Sequence, residues 1–244
     1  MLNELLLTGS VVFIFSSVLL VYYIFGKTGL YCLSAIVTVL ANIEVLILVN
    51  AFGVEQTLGN VLFASTFLIT DILSEYEGKK AANKAVWIGV FSTLFFLLLS
   101  QSWLLYMPSE NDFMADSIHT VFSTTPRMLL SSLAVYAVSQ VFDVWLYHKW
   151  WTFTEKKCGE KKRFLWLRNN GSTLVSQLIN TVLFNVLAFF GTYDVPTLIT
   201  IILSSYLIFV FTSLLDTPVV YLARLVKKRL DTREEAKKAA SAVK

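Results

Sequence analysis

The stretch FLITDILSE, Phe67 to Glu75, sets Asp71 and Glu75 four residues apart in an otherwise apolar run. On a helix that spacing puts both carboxylates on one face. Gln140 and Asp143, three apart, share a face in the same way. Thr173, Gln177, Asn180 and Phe184 follow at steps of four, three and four, a polar stripe ending in an aromatic ring. Asn42 and Glu44, Arg127, Asn169, Asn170 and Ser172, and Asp216 with Thr217 complete the polar inventory of the apolar runs and their ends. A charge at the centre of a membrane-spanning helix costs about 2.5–3.5 kcal/mol on insertion scales, so it faces a cavity or a partner. Several together imply a polar chamber between helices.

The chemistry such a chamber offers is binding. No nucleophile has a base at a plausible spacing, and Asp71 and Asp143 lack the GxGD-like context of an intramembrane aspartyl pair. His119 and His148 are not spaced as metal ligands, and no GxxxxGK phosphate cradle is present. Expected cofactors and metals are therefore none, and the chain is not read as an enzyme. Plainer roles compete for individual residues. Glu75 can pair with Lys79 or Lys80 one turn on, and the Ser, Thr, Asn and Gln side chains can act as interhelical glue. Arg127 can snorkel at the outer end of its helix. Glu44 either faces the outer half of a chamber or pairs with a lysine.

The elements that position these groups are apolar helices. Of the 244 residues, 56% are hydrophobic and 15% charged, with a mean hydropathy of +0.65; a soluble domain carries about 25% charged residues. Runs of about 20 apolar residues recur throughout. Seven spans are expected, at about 5–25, 30–52, 57–77, 85–106, 126–148, 172–191 and 197–225, the last bent near Pro218. The first run follows Glu4 without a positive flank or a small-residue cleavage site, and reads as a retained helix. Cys32 and Cys158 imply no disulfide framework. The tail LDTREEAKKAASAVK reads as a solvated helix or frayed end.

Loop charge sets the orientation. Lys79, Lys80 and Lys84, then Lys149, Lys156, Lys157, Lys161, Lys162 and Arg163, then Arg224, Lys227, Lys228 and Arg229 alternate with a 107–124 loop and a GTYDVP turn that hold no Lys or Arg. Basic loops stay cytoplasmic, so the N-terminus is expected outside and the C-terminus inside.

Five segments together resemble a known family: ANIEVL (41–46), LGNVLFASTFLITDILSEYEGKKAA (58–82), VYAVSQVFDVWLYHK from Val135, LWLRNNGSTLVSQLINTVLF (165–184) and LLDTPVVYL (214–222). Their ordered set is similar to the queuosine precursor transporters, also called the vitamin uptake transporter family. The resemblance implies an all-α, polytopic bundle in a bacterial or archaeal inner membrane. Its six-helix core, 30–226, would be similar to the substrate-binding subunits of energy-coupling-factor transporters. An extra N-terminal helix, 1–29, precedes it and a charged cytoplasmic tail, 227–244, follows. Departures from the family pattern are that extra helix, Asn180 where many relatives carry aspartate, and Ile47 where many carry lysine.

The implied substrate is a 7-deazaguanine base such as queuine, preQ1 or preQ0, taken inward as a precursor of a modified tRNA base, with no nucleic-acid contact. A purine-like ring offers N–H donors, a carbonyl acceptor and two flat faces. Asp71 and Glu75 would then receive the donor edge or an aminomethyl cation, with Gln140 and Asp143 as a second polar wall. Asn169, Asn170, Thr173 and Gln177 would supply amides and hydroxyls, and Phe67, Trp166 or Phe184 would stack. Asn42, Arg127, Asn180 and Asp216 are counted with the same site. The alternative reading is the binding subunit of an energy-coupling-factor transporter for another vitamin-like solute, which would co-purify with an ATPase module. Membrane lipid surrounds the bundle in either case, and the small residues of LSSLAVYAVS permit the close contacts of a homo-oligomer.

Overall fold

The structure, a computed structural model, describes residues 1–123, 126–158 and 164–242. Lys161, Lys162 and Arg163 lie outside the described residues. Among those described, seven helices and one hairpin follow in the order α1 (Leu2–Glu44), β1 (Leu48–Ala51), β2 (Val54–Thr57), α2 (Gly59–Tyr76), α3 (Lys79–Trp103), α4 (Ala115–Ser123), α5 (Pro126–Cys158), α6 (Leu165–Phe189) and α7 (Val195–Ala242). The fold is an all-α polytopic bundle.

α1 is two helices joined at a sharp reversal. Gly26 breaks it with φ 61 and ψ −149, a backbone conformation open to glycine alone. A straight helix of this length would run about 65 Å. Yet Asn3 Nδ2 donates to Asn50 O at 2.9 Å, and the chain from Glu44 to Asn50 reaches only about 20 Å. The two halves must therefore run antiparallel, with Gly26 at one end of the bundle. Tyr22, the last turn of α2 and the far part of α7 meet at that same end, where Glu77 accepts from Tyr22 at 2.8 Å and from Lys227 at 3.0 Å.

Counting the two halves of α1 with α2, α3, α5, α6 and α7, the chain traverses the bundle seven times. Five helices, α1, α3, α5, α6 and α7, are long and apolar enough to cross a membrane. α2 is not among them, because Thr66, Thr70, Asp71, Ser74 and Glu75 dilute its hydropathy. It needs no apolar surface. Packed by α1, α3, α5 and α7, it is buried from Val61 to Ser74 except at Phe63, so protein rather than lipid is its solvent.

Lys27, Lys79, Lys80, Lys84, Lys149, Lys156, Arg224 and Lys227 gather at the Gly26 end. Among the described residues Arg127 is the one Lys or Arg at the other end.

Several boundaries differ from the sequence expectation. The second span does not reach residue 52. The helix stops at Glu44, and 48–57 forms an antiparallel hairpin with Val49 opposite Gln56 and Asn50 opposite Glu55. Phe52 and Gly53 both have positive φ, the signature of a two-residue hairpin turn. A short apolar run does not distinguish strand from helix by periodicity, which is why the hairpin reads as helix. α6 begins at Leu165, seven residues before the expected 172, because Arg168 and the amides after it are buried rather than left in a loop. α7 runs unbroken through 226 into the tail, with Pro218 inside it.

A close backbone approach between elements is at Gly59, where α2 starts against the end of α1. A Cβ there would lie 2.8 Å from Ala41 O and 2.8 Å from Val45 N, both backbone atoms that cannot swing aside. Gly59→Ala is therefore expected to destabilise the protein by about 1–3 kcal/mol, read as a lowered thermal midpoint. Gly9→Ala, inside α1 where a Cβ meets nothing within 4 Å, should not lower it. Equal midpoints for the two variants would contradict this packing.

Candidate functional site

Four residues of α2 define a line down the bundle. Phe63, Phe67, Asp71 and Glu75 are spaced by four, so each lies about 6 Å below the last on one side of the helix. α6 runs the opposite way, so its order from the hairpin end is Phe184, Asn180, Gln177, Thr173 and Asn169. The two lines face each other. Thr173 Oγ1 donates to Asp71 Oδ2 at 2.9 Å, which fixes the register between them.

At the hairpin end lies a cavity of about 340 Å³, within the range of small-molecule sites. Asn60, Phe63, Asn180, Phe184, Asn185 and Phe209 line it from the helices, and Leu48, Glu55, Gln56 and Thr57 from the hairpin. Its aromatic wall is continuous, since Phe63 meets Phe67, Tyr136 and Phe209 edge-on at centroid distances of 5.6, 5.9 and 6.2 Å.

Below Phe63 the bundle is closed and polar. Gln140 is fixed by two threonines of α2, donating to Thr66 Oγ1 at 2.6 Å and accepting from Thr70 at 3.2 Å. Ser139 donates to Asn180 Oδ1 at 3.3 Å, tying this layer to the cavity wall. One turn deeper Asp71, Asp143 and Gln177 are buried. Asp216 joins the same region through Asn169, one turn from the Thr173 that bonds Asp71. Asp71 Oδ1, both oxygens of Asp143 and both amide atoms of Gln177 accept or donate no hydrogen bond among the described residues. Ser172 and Ser176 lie beside Asp143, but their hydroxyls donate to carbonyls of their own helix at 2.8 Å.

α7 closes the other wall. Asn169 Nδ2 donates to Asp216 Oδ1 at 2.7 Å, Asn170 Nδ2 to Thr217 Oγ1 at 2.7 Å, and Ser213 Oγ to Asn170 Oδ1 at 3.2 Å. At the bottom Arg168 Nη2 donates to both oxygens of Glu75, at 2.8 and 2.9 Å. Tyr147 OH donates to the same carboxylate at 2.7 Å, and the guanidinium lies 4.5 Å from the Trp151 ring centre. This buried cluster plugs the Gly26 end of the polar column.

The structure thus brings Asp71, Gln140, Asp143, Asn169, Asn170, Thr173, Gln177, Asn180 and Asp216 into one column, but only Asn180 and Phe184 of the sequence candidates touch the cavity. Phe67 is fully buried beneath it. Glu75 pairs neither with a ligand space nor with Lys79 or Lys80, because Arg168 is closer to hand inside the bundle. Arg127 does not face a chamber. It is exposed and donates to Leu187 O and Phe190 O at 2.8 and 2.7 Å, capping the carbonyls left free at the end of α6. Trp166 is half exposed and points away from the column. Asn42 is buried but spends its amide on Thr38 O, one turn back, at 2.7 Å. Residues missed from the sequence include Arg168 and Tyr147, Thr66 and Thr70, and Asn185. The last had a signal: Gln177, Thr181 and Asn185 form a second stripe at steps of four.

A multi-crossing helical bundle with a solute-sized cavity above a closed polar interior is built as a membrane transport protein. The chain belongs to the vitamin uptake transporter family: the model described as "Putative vitamin uptake transporter" matches residues 57–223, the span that holds the column. It is also 39% identical over 210 residues to the "Probable queuosine precursor transporter" of Bacillus subtilis (strain 168), covering 86% of this chain and 90% of that protein. No solved structure matches the chain.

Removing one partner of a buried ion pair strands the other charge and costs about 3–5 kcal/mol. Arg168→Met should therefore lower the thermal midpoint sharply. Adding Glu75→Gln, which keeps an acceptor for Tyr147 without the charge, should restore most of the loss. Additive losses in the double variant would mean that the pair does not hold α2 to α6.

Proposed function

We propose that this protein imports a queuosine precursor, a 7-deazaguanine base, across the cytoplasmic membrane, with its hairpin end outside and its basic end in the cytoplasm. The relative's name supports the substrate, and the clustering of lysines and arginines at one end supports the orientation. The observation that carries the reading is the column of buried polar groups that begins beneath the outer cavity, where Asn180 lines the cavity and accepts from Ser139 in the layer below. A flat base entering the cavity meets Phe63, Phe184 and Phe209 for its faces and Asn180 and Asn185 for its edge. The next polar groups in its path are Gln140, Gln177, Asp71 and Asp143.

Those acids suit the donor edge of a guanine-like ring, and a carboxylate without a partner is the group that gains most from one. Asp143 meets that description, and the Gln177 carboxamide is likewise without a partner among the described residues. The Glu75–Arg168–Tyr147 cluster keeps the cytoplasmic end shut while the outer end is open. Inward passage requires α2 and α6 to part at that cluster, so the cycle alternates between an open cavity above and a broken ion pair below. Asp216, held by Asn169, lines the lower half of the route.

The test uses cells that lack both precursor synthesis and their own importer, supplied with a single precursor base, with queuosine in tRNA as the readout. Asp143→Asn and Asp71→Asn chains that insert at the parental level are expected to restore about tenfold less queuosine than the parent. Restoration at the parental rate would overturn the column as the route of the base.

A further inference from the structure

One wall of the cavity is a β-strand, and the side chain it turns inward is polar with nothing to bond. Gln56 sits in β2 opposite Val49. Glu55 is exposed, whereas Gln56 is 3% exposed and borders the cavity. An inward-facing strand position over an apolar bundle is ordinarily filled by an apolar residue. Both amide atoms of Gln56, Oε1 and Nε2, are buried with no partner among the described residues. Beside it, in the first turn of α2, Asn60 Nδ2 also lines the cavity and is likewise buried without a partner.

The opposite wall differs. Asn180 Oδ1 accepts from Ser139 at 3.3 Å, and Asn185 Nδ2 donates to Thr181 O at 2.8 Å. Each amide of that wall thus has one atom already spent, whereas Gln56 has neither atom spent among the described residues. Buried amides left in that state are unfavourable, and they are rare enough that each points to a missing partner.

We infer that Gln56, assisted by Asn60, determines specificity in the cavity by reading the edge of a flat heterocycle where a ring N–H lies next to a carbonyl. A primary carboxamide carries a donor and an acceptor side by side. It therefore meets such a lactam edge through two antiparallel hydrogen bonds, while Phe63, Phe184 and Phe209 cover the ring faces. An ionised carboxylate deeper in the column only accepts, so it reads a donor edge and cannot tell a lactam from an amine. Gln56 supplies that distinction in the outer cavity, before the base reaches Asp71 and Asp143. The assignment rests on the import reading for its substrate class and adds the atoms by which that class is recognised.

The experiment measures binding of 7-deazaguanine and of its analogue methylated on the lactam nitrogen to the purified full-length chain in lipid nanodiscs. The parent should hold 7-deazaguanine about tenfold or more tighter than the methylated base. In Gln56→Leu that preference should vanish, by loss of affinity for 7-deazaguanine alone, with Gln56→Asn intermediate. The thermal midpoint of unliganded Gln56→Leu should not fall, since the amide bonds nothing among the described residues. Retained discrimination against the methylated base in Gln56→Leu overturns the inference, and so does a lowered midpoint with unchanged discrimination, which marks a structural role. If neither base binds the parent, the import reading fails with it. If the acid variants abolish import while Gln56→Leu still discriminates, this inference falls alone.

Discussion

Everything in this bundle follows from holding carboxylates away from both water and lipid. Asp71, Asp143 and Asp216 are each fully or almost fully buried, and an ionisable group at that depth survives only with polar company. α2 carries Asp71 in a sequence too polar to face lipid, so it must be wrapped on all sides. The helices that wrap it must in turn present their hydroxyls and amides inward. Thr173 on α6, Gln140 on α5 and the Asn169–Asp216 contact to α7 are the consequences, and the mutual register of four helices is set by where these groups meet.

The same constraint shapes the column along its length. Near the basic end an acid is satisfied completely, as Glu75 is by Arg168 and Tyr147. Midway the satisfaction is partial: Asp71 has one hydroxyl, while Asp143 and Gln177 have none among the described residues. Near the hairpin the polar groups border open space. A purely structural network would saturate its members, because a half-satisfied buried network is less stable than an apolar core. The gradient from saturated to unsaturated is what a path for a polar solute requires, since groups already spent on one another have nothing to offer a ligand.

Much of this was legible in the residues. The i,i+4 and i,i+3 pairs and the stripe on α6 announce that polar faces converge, because the expense of burying them leaves no other arrangement. The alternation of basic and non-basic loops foreshadowed a chain whose lysines collect at one end. What escaped is equally physical. LVNAFGVEQT is as apolar as a helix end, and only the paired positive φ values of Phe52 and Gly53 reveal a strand turn, so the roof of the cavity was invisible. Nothing local to Arg168 announces its burial, which depends on Glu75, 93 residues away in sequence. Arg127 and Trp166 carry the right chemistry at a plausible depth, yet the rotation of their helices turns one to the end of α6 and the other outward. Spacing fixes which residues share a face, and the facing of whole helices is decided by contacts that no single segment contains.

The most direct measurement is thiol labelling of an Asn180→Cys chain in which Cys32 and Cys158 are replaced by serine. A membrane-impermeant reagent is applied from outside, with and without 7-deazaguanine. If the cavity opens outward and receives the base, position 180 is modified from that side and the base slows its modification. A thiol at 180 that resists the external reagent, or reacts at one rate whether or not the base is present, would contradict the account.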